Sequence, residues 1–434
     1  AGRAVRDAAA GHREGGRGSR CESERAPQED GILMVKPGYK QTEVGVIPED
    51  WGVYPLGSIA EVTMGQSPPG SSYNARGIGL PLINGPTEFT NYNPMKIQWT
   101  KTPTKICMPD DILICVRGSS TGRMNVSDDE YCIGRGIAAI RANFKSNTVY
   151  LKYQIYSGVE RLLSLSAGST FPNIDGKSIR SIIIPLPLTI AEQEAIANAL
   201  SDVDALIESL ERLIVKKRDI KRAAMRKLLD PGPEWVKKRL GDTSIIKARI
   251  GWQGLTTAEY LDSGNYFLVT GTDFENGFID WDNCHYVDER RYLQDRHIQL
   301  KQHDVLVTKD GTVGKVAFVN ELHRPATLNS GVFVVRPVNS SFEPEFFYHL
   351  LHSAMFSKFL DQLSAGSTIN HLYQKDFVNF EYQIPETLSE QKNIAATITV
   401  MDKEISAISL RLEKTRDMKQ GMMQELLTGR IRLV

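Results

Sequence analysis

Two short loops carry the residue types that bind the phosphates and bases of nucleic acids. They are Arg117-Gly-Ser-Ser-Thr-Gly-Arg123 and Lys309-Asp-Gly-Thr-Val-Gly-Lys315. Glycine lets the backbone approach a phosphate closely, hydroxyl and amide groups can hydrogen-bond its oxygens, and arginine or lysine supplies charge or a bidentate contact to guanine. A tight glycine turn between two strands, with solvated charges, would use the same residues. Both interpretations stay open from the sequence alone.

Bases are expected to be contacted where the two halves of the chain differ, in the polar and aromatic segments 66–76 and 250–260. The segment Ser-Ala-Gly-Ser-Thr occurs identically at 166–170 and 364–368, which predicts backbone positioning rather than base recognition if it touches DNA at all. The candidate DNA-binding residues are therefore Arg117, Ser119, Ser120, Thr121, Arg123, Lys309, Thr312, Lys315, Gln66, Tyr73, Arg76, Trp252 and Gln253.

The sequence contains no recognisable catalytic constellation beside these loops. Gly176-Lys-Ser178 resembles the end of a phosphate-binding P-loop, but the earlier glycine that this motif requires is replaced by Phe171. Pro109-Asp-Asp111 resembles the start of a nuclease carboxylate motif, yet no acid-x-Lys follows within thirty residues, so a turn before a strand is favoured. The histidines show no metal-ligand spacing. We predict no catalytic residue and no metal site; a free-standing nuclease or methyltransferase with an unrecognised site is the alternative.

Short apolar runs separated by Gly, Asn and Pro surround the loops and predict strands. These runs are 111–116, 182–184, 304–308 and 332–335. Helical patterns follow at 151–165 and 344–363, so each half of the chain contains a mixed α/β domain of the α+β kind.

The chain is internally duplicated. Leu165-Ser-Ala-Gly-Ser-Thr170 recurs unchanged at 363–368, 198 positions later, and the same offset relates Glu192-Gln193 to Glu390-Gln391. The similarity between the two halves extends without a gap over residues 165–229, and Asp111 upstream corresponds to Asp304. A period near 200 residues is too long for a solenoid repeat and indicates a duplicated domain.

Each half ends in a long helix with a heptad seam. Apolar residues alternate at spacings of three and four between 189 and 229, and the pattern repeats 198 positions later with its polar interruption in the same place. Two matching seams favour packing of helix against helix, with packing of each helix on its own domain as the alternative. The seam residues are Leu200, Val203, Ile207, Leu210, Ile214, Ile398, Met401, Ile405, Ile408 and Leu412.

Composition places further bounds on function. The 52 basic and 52 acidic residues balance, so nucleic-acid binding must depend on local patches; eight basic residues against two acids between Glu211 and Lys227 form one. Five scattered cysteines without C-x-x-C argue against disulfides and zinc, and favour a reducing, cytoplasmic location. Residues 1–33 contain almost no large apolar side chains, which predicts a disordered leader or a segment foreign to the protein.

Three segments resemble the specificity (S) subunit of type I restriction–modification enzymes. They are Tyr39-Lys-Gln-Thr-Glu-Val-Gly-Val-Ile-Pro-Glu-Asp-Trp51, Pro185-Leu-Pro-Leu-Thr-Ile-Ala-Glu-Gln193 and Met422-Met-Gln-Glu-Leu-Leu-Thr-Gly-Arg-Ile-Arg-Leu433. The resemblance covers residues 39–433 and implies two target recognition domains, joined by two long antiparallel coiled-coil helices with an internal pseudo-two-fold repeat. It also implies a domain order of 34–188, helix 189–230, domain 231–386, and helix and tail 387–434.

The resemblance further implies a non-catalytic, sequence-specific DNA-recognition subunit. Each domain would contact one half of a bipartite asymmetric site in the major groove, while the helices set the spacing between the halves. The expected partners are double-stranded DNA, two modification (methyltransferase) subunits and, through them, ATP-dependent translocase-nuclease restriction subunits, with no membrane. S-adenosylmethionine, ATP and Mg are expected on those partners only, and no cofactor on this chain.

Overall fold

The computed structural model describes residues 36–90, 93–165, 173–364 and 371–433. The chain forms two compact units: unit 1 comprises the described part of 1–194 together with 425–434, and unit 2 comprises 195–424. The predicted leader at 1–33, the segment 166–170 and residues 365–368 of its repeat lie outside the described residues. Both long helices belong mostly to unit 2, so the domain boundaries expected at 188 and 231 stay predictions.

The first half of the chain consists of thirteen short strands and four helices among the described residues. The strands are β1 Tyr39–Thr42, β2 Gly45–Pro48, β3 Gly52–Pro55, β4 Ala60–Met64, β5 Tyr73–Asn74, β6 Leu80–Ile83, β7 Trp99–Thr100, β8 Ile106–Cys107, β9 Ile112–Cys115, β10 Met124–Val126, β11 Tyr131–Ile133, β12 Ile137–Ala142 and β13 Ile183–Leu186. The helices are α1 Leu56–Ile59, α2 Thr148–Leu165, α3 Gly176–Arg180 and α4 Ile190–Leu228.

The second half contains eleven strands and six helices in its described part. The strands are β14 Trp235–Arg239, β15 Ser244–Lys247, β16 Tyr266–Val269, β17 Phe274–Glu275, β18 Phe278–Ile279, β19 His285–Val287, β20 Val305–Thr308, β21 Val316–Phe318, β22 Ala326–Leu328, β23 Val332–Pro337 and β24 Glu381–Pro385. The helices are α5 Leu240–Thr243, α6 Glu289–Leu293, α7 Pro344–Leu351, α8 Ala354–Ser364, α9 Gln374–Phe377 and α10 Leu388–Leu426.

The two units share one sheet topology, which confirms the mixed α/β fold class and the duplication. Unit 1 has a four-stranded antiparallel sheet in the order β10-β9-β12-β4, and unit 2 has the equivalent order β21-β20-β23-β15. A second sheet contains the parallel pair β6 and β11 in unit 1, and the parallel pair β16 and β22 in unit 2. The strands β9, β13, β20 and β23 lie where the apolar runs predict them.

A buried carboxylate at the start of β9 and of β20 joins the strands of each four-stranded sheet. Asp111 accepts two hydrogen bonds from the Arg141 guanidinium, at 2.7 and 2.8 Å, and a third from the backbone nitrogen of Met108. Asp304 accepts the equivalent pair from Arg336 at 2.6 Å each. Bidentate guanidinium–carboxylate contacts are strong and directional. Asp111 therefore has a structural role, as the turn interpretation of Pro109-Asp-Asp111 predicts.

The repeated Glu-Gln motif fastens the start of each long helix to its own unit. The Gln193 side chain accepts a hydrogen bond from the Asn147 backbone nitrogen and donates to the Pro187 carbonyl. Gln391 makes the same two contacts, with the Glu343 nitrogen and the Pro385 carbonyl. Both glutamines are buried. Buried amide groups require hydrogen-bond partners. The identical residues of the motif in the two halves therefore reflect the same hydrogen-bond pattern made twice.

The two long helices pack against each other within unit 2, as the heptad seams predict. Leu210, Ile214 and Leu412 form a buried cluster, against which Leu206, Ile207, Ile405 and Ile408 pack. Each helix has 39 residues, about 60 Å at the usual rise. Of the other predicted seam residues, Leu200 and Val203 are buried and Met401 is half-buried.

Ile398, also predicted as a seam residue, instead belongs to the main core of unit 2. It lies in one buried cluster with Phe346, Phe380 and Ile394, and Leu228 at the end of α4 packs against the same cluster. The early part of α10 thus packs on its own domain, while the middle packs on α4. The heptad pattern does not separate these two environments because both require an apolar side chain at the same helical spacing.

Ion pairs replace apolar contacts where the seam turns polar. Lys221 pairs with Asp402, and Lys419 with Asp204 at 2.7 Å. Each member of the second pair lies 198 positions from a member of the first, so one contact is made twice. Because the partner's number falls as the residue's own number rises, the helices run antiparallel. Two residues of the basic cluster between 211 and 227 are used in this way: Lys221, and Lys217, which pairs with Glu404.

Helix α7 ends earlier than the sequence predicts. The helical pattern at 344–363 divides after Leu351, where the backbone nitrogen of His352 bonds to the His349 carbonyl. Ser353 lies immediately before α8, and its hydroxyl accepts a hydrogen bond from the Met355 nitrogen at 3.2 Å. A serine that caps a new helix interrupts the backbone without altering the apolar periodicity. None of the described helices combines the length and apolar composition of a membrane span.

Candidate nucleic-acid interface

The first predicted loop is the connection between β9 and β10, and its backbone is held at three points. The Val116 nitrogen donates to the Gly136 carbonyl at 2.9 Å, the Gly122 nitrogen to the Cys115 carbonyl at 2.8 Å, and the Ile174 nitrogen to the Val116 carbonyl at 3.0 Å. Gly122 adopts a φ of 91°, and a Cβ there would lie 2.7 Å from Leu163. Glycine is required at this position for conformation and for space.

The loop between β20 and β21 repeats this arrangement with one residue fewer. The Lys309 nitrogen donates to the Gly331 carbonyl at 2.8 Å, and the Gly314 nitrogen to the Thr308 carbonyl at 2.9 Å. These bonds make Lys309 the counterpart of Val116. Arg117 therefore corresponds to Asp310, so the first residues of the two sequence motifs, Arg117 and Lys309, are not structurally equivalent.

Arg123 and Lys315 occupy equivalent positions at the end of each loop, and both donate to backbone carbonyls of their own unit. Arg123 bonds to the carbonyls of Pro86 at 3.2 Å and Phe89 at 2.8 Å. Lys315 bonds to the carbonyls of Gly271 at 3.4 Å and Phe274 at 3.1 Å. These two side chains brace a neighbouring segment against the loop, which is a structural role in addition to the predicted DNA contact.

Lys309 lies largely inside unit 2. Its side chain is 15% exposed, and its ammonium group lies 3.3 Å from Asp310 and 5.9 Å from the centre of the Phe333 ring. Asp310 also contacts the Nδ1 atom of His371, and the two residues are joined by a β-bridge. The second loop is thus closed by the Lys309–Asp310 ion pair and by the contact between Asp310 and His371.

The hydroxyl groups of the two loops divide between inward and outward positions. Thr121 donates to the Gly118 carbonyl at 2.7 Å and stabilises the turn. Ser119 and Thr312 are exposed, and Ser120 is half-buried. Burial raises the pKa of the Cys115 thiol at the base of the first loop to about 11, so this cysteine is a neutral, packed side chain at neutral pH.

Arg117 is exposed and makes no hydrogen bond or ion pair with any described residue. Arg135, which the sequence analysis did not select, has the same properties: its side chain is exposed and unpartnered within the described ranges. Arg135 stands between Gly134 and Gly136, and the Gly136 carbonyl holds the Arg117 loop. The Gly-Arg-Gly spacing is the signal that could have identified it.

Gln66 lies at the same sheet edge as these two arginines. The registers Cys115↔Ile137 and Met64↔Ala138 place the ends of β9 and β4 beside the start of β12. The Gln66 backbone nitrogen donates to the Ile133 carbonyl at 2.9 Å, and its side chain is exposed. Gln66 and Arg117 therefore follow the ends of β4 and β9, and Arg135 precedes the start of β12, which lies between those two strands.

The remaining candidates of unit 1 lie further along the segment after β4. Tyr73 is half-buried in β5, where it pairs with Thr100. Arg76 is exposed in a turn that the Asn74 side chain stabilises, by accepting a hydrogen bond from the Arg76 nitrogen at 3.1 Å. Its exposure keeps Arg76 available for contact with a partner.

In unit 2 the corresponding segment begins with Arg249, which is buried rather than exposed. Its guanidinium donates to the Leu328 carbonyl at 2.9 Å and to the Thr327 hydroxyl at 3.2 Å, and burial lowers its pKa. Gln253 lies in the short helical turn after it, with its side-chain oxygen buried and unpaired among the described atoms. The backbone of Trp252 belongs to this turn; its side chain lies outside the description.

Comparison with known proteins agrees with this architecture. A family model for the type I restriction modification DNA specificity domain matches the chain twice, at 48–216 and 233–414. The MjaVIII type I restriction enzyme specificity subunit of Methanocaldococcus jannaschii is 25% identical over 410 residues, covering 89% of this chain and 94% of the relative.

Two further similarities are more limited. A second Methanocaldococcus jannaschii protein, described as the specificity subunit of the MjaX type I restriction enzyme, is 41% identical over 173 residues, which is 39% of this chain and 40% of the relative's length. The crystal structure of a type I restriction–modification S subunit from M. genitalium matches 87% of this chain and 96% of its own, with a TM-score of 0.57 and 18% identity. That likeness shows the shared fold.

Proposed function

This chain belongs to the family of type I restriction–modification DNA specificity subunits, and from that premise we propose that its two units each recognise one half of a bipartite, asymmetric DNA sequence in the major groove. The observation that supports this most directly is the duplicated four-stranded sheet, whose equivalent edge carries different side chains in the two units. One scaffold with two sets of edge residues suits two half-sites of different sequence. The chain itself is proposed to be non-catalytic, with methyl transfer and cleavage supplied by partner subunits.

Domain exchange tests this function. The full chain is co-purified with its modification subunits, and preferred sites are selected from a random DNA library. Replacing residues 44–185 with the equivalent segment of another specificity subunit should change one half-site and leave the other, because each unit has its own core. The reciprocal exchange of residues 231–386 is the matched control and should change the other half-site. A change in both half-sites from either exchange would contradict separate recognition.

The helices are proposed to dock two modification subunits. Ile220 and Met418 lie 198 positions apart, at equivalent places in α4 and α10, and are 46% and 48% exposed. Val215 and Val400 on the same helices are more than half exposed. Large apolar side chains exposed on a helix favour burial against a partner. Two equivalent positions on two equivalent helices suit two copies of one partner, through which restriction subunits would join.

Replacing Ile220 or Met418 with aspartate should therefore remove one modification subunit in each case. Burying an unpaired carboxylate costs several kcal/mol, so we expect at least a roughly tenfold weaker association of one of the two copies. Native mass spectrometry of the complex measures the stoichiometry. Gln420→Asp introduces the same group on another face of α10 and serves as the control. Retention of both copies in both variants would place the docking surface elsewhere.

We also propose that the paired helices set the distance between the two half-sites. An antiparallel pair of 39-residue helices with a buried seam and cross-helix ion pairs is a stiff element. S-adenosylmethionine, ATP and Mg are proposed to bind the partner subunits only.

A further inference from the structure

Unit 1 presents two unpaired guanidinium groups at one sheet edge, and we propose that Arg117 and Arg135 each contact a guanine in the half-site that unit 1 recognises. This inference depends on the proposed function, which it extends from DNA in general to a particular base. The two residues are joined through the backbone, since the Val116 nitrogen donates to the Gly136 carbonyl at 2.9 Å. Each arginine is directly adjacent to one end of that hydrogen bond.

The backbone beneath both side chains is rigidly held. Besides the bonds of the Arg117 loop, the Gly134 nitrogen donates to the Ile83 carbonyl at 2.8 Å, and the Arg135 nitrogen to the Ser67 hydroxyl at 3.2 Å. A Cβ at Gly134 would lie 2.2 Å from the Asn84 side chain, so the turn is closely packed. A long side chain on a fixed backbone is suited to contact a base at a defined position.

The chemistry of the guanidinium group selects guanine. Arginine carries five N–H donors and no acceptor. In the major groove guanine presents two adjacent acceptors, N7 and O6, whereas adenine pairs one acceptor with a donor and cytosine presents a donor. A bidentate contact from arginine is therefore available at guanine, whichever strand carries it.

Unit 2 differs at both equivalent positions, which makes the guanine contact specific to unit 1. Asp310 replaces Arg117, and Ser330 replaces Arg135, as the bond from the Lys309 nitrogen to the Gly331 carbonyl shows. The Asp310 carboxylate faces Lys309 and His371, so its charge is compensated within the unit. The same sheet edge thus presents two free cations in one unit and a compensated cluster in the other.

Substitution of single guanines with 7-deazaguanine tests the contact, because this analogue lacks the N7 acceptor. The full chain with its modification subunits is titrated with its selected site, in which each guanine of the unit 1 half-site is replaced in turn. We expect two positions at which the analogue weakens binding by roughly 5- to 100-fold, within the range for a bidentate base contact. Arg117→Ala should abolish the penalty at one of these positions, and Arg135→Ala at the other.

Lys145→Ala is the matched control. Lys145 is also exposed but follows the opposite end of β12, so removing its charge should leave every 7-deazaguanine penalty unchanged. Phosphate contacts would give a different result: binding would weaken on all sequences, the salt slope would fall by about 1, and the analogue penalties would persist in both alanine variants. That result, or a unit 1 half-site without guanine, would overturn the proposal while leaving specific DNA binding intact. Failure to select any specific site would instead contradict the proposed function.

Discussion

Replacing Arg432 with alanine is expected to lower the free energy of unfolding of unit 1 by about 3 kcal/mol or more. Arg432 donates to both oxygens of Asp50, at 2.9 Å each, and to both oxygens of Glu192. Its guanidinium also lies 5.8 Å from the Trp51 ring centre. The Glu192 side chain is only 3% exposed. Without Arg432 a buried carboxylate loses its cation, and uncompensated buried charges of this kind cost about 3–5 kcal/mol.

Calorimetry together with hydrogen exchange at residues 48–56 and 185–193 measures this effect. Arg430→Ala is the matched control, because its ion pair with Glu425 is long at 3.4 Å and largely exposed; exposed pairs contribute about 0–1 kcal/mol. Adding Glu192→Gln to Arg432→Ala should recover part of the loss by removing the orphaned charge. If Arg432→Ala has the same free energy of unfolding and the same hydrogen-exchange rates as the unaltered chain, the Arg432 contacts do not stabilise unit 1.

The same contact predicts an acid-sensitive contribution from Asp50. The hydrogen bond from Arg432 holds the pKa of Asp50 below its usual value of 3.8. A carboxyl group with a depressed folded-state pKa adds stability that is complete above its unfolded value and is lost as the pH falls through the folded value. The part of the difference between the unaltered chain and Arg432→Ala that comes from Asp50 should therefore be lost only below about pH 4, where Asp50 takes up its proton; comparison with Asp50→Asn isolates that part.

The repeating parts of the fold could be predicted from the sequence because their physical causes are local. The apolar run from Ile112 to Cys115 is short, rich in β-branched residues and bounded by turn residues, which favours a buried strand, and the spacing of Leu210 and Ile214 recurs every heptad. The domain duplication could be inferred from identical letters because the same contacts, such as those of Gln193 and Gln391, recur at a fixed offset.

The contacts of individual loop side chains could not be predicted, because they are made with residues that are distant in the sequence. Arg123 is an arginine at the end of a glycine-rich loop, which is typical of a DNA contact, yet its partners are carbonyls 34 and 37 positions earlier in the sequence. Arg135 lay outside the selected motif, although folding brings it beside the Arg117 loop. In the sequence, Arg432 is distinguished only by its place in the segment 422–433 that resembles the family. Its role became evident once the fold had brought Asp50 and Glu192 together around it.

Lengthening both long helices by one heptad should increase the preferred distance between half-sites. The structure identifies where to insert: after Arg212 in α4 and after Leu410 in α10, positions related by the 198-residue offset. Both insertion points lie between the ion pairs Lys221–Asp402 and Lys419–Asp204, so each pair keeps both of its members on one side. Repeating residues 206–212 and 404–410 supplies the added heptads. Seven added residues in each helix preserve the apolar seam, since the seam itself repeats every seven.

The expected size of the effect follows from helix and DNA geometry. Seven residues add roughly 10 Å to the helix pair, and B-DNA rises about 3.4 Å per base pair. The preferred spacer should therefore grow by up to about three base pairs, and by less if the helices cross the DNA obliquely. The half-site sequences should not change, because no residue of either sheet edge is altered. Site selection from a library that varies both the spacer and the half-sites measures the two quantities separately.

Insertion into α4 alone is the control for this design. It displaces the Lys221–Asp402 pair relative to the Lys419–Asp204 pair along one helix only, so the seam and the ion pairs cannot all be satisfied at once. We expect that variant to lose stability and specific binding together. A doubly lengthened subunit that folds, binds its modification subunits and keeps its original spacer would show that the helices do not set the distance. The remaining proposed role of the helices would then be to dock the modification subunits at the exposed positions Ile220 and Met418.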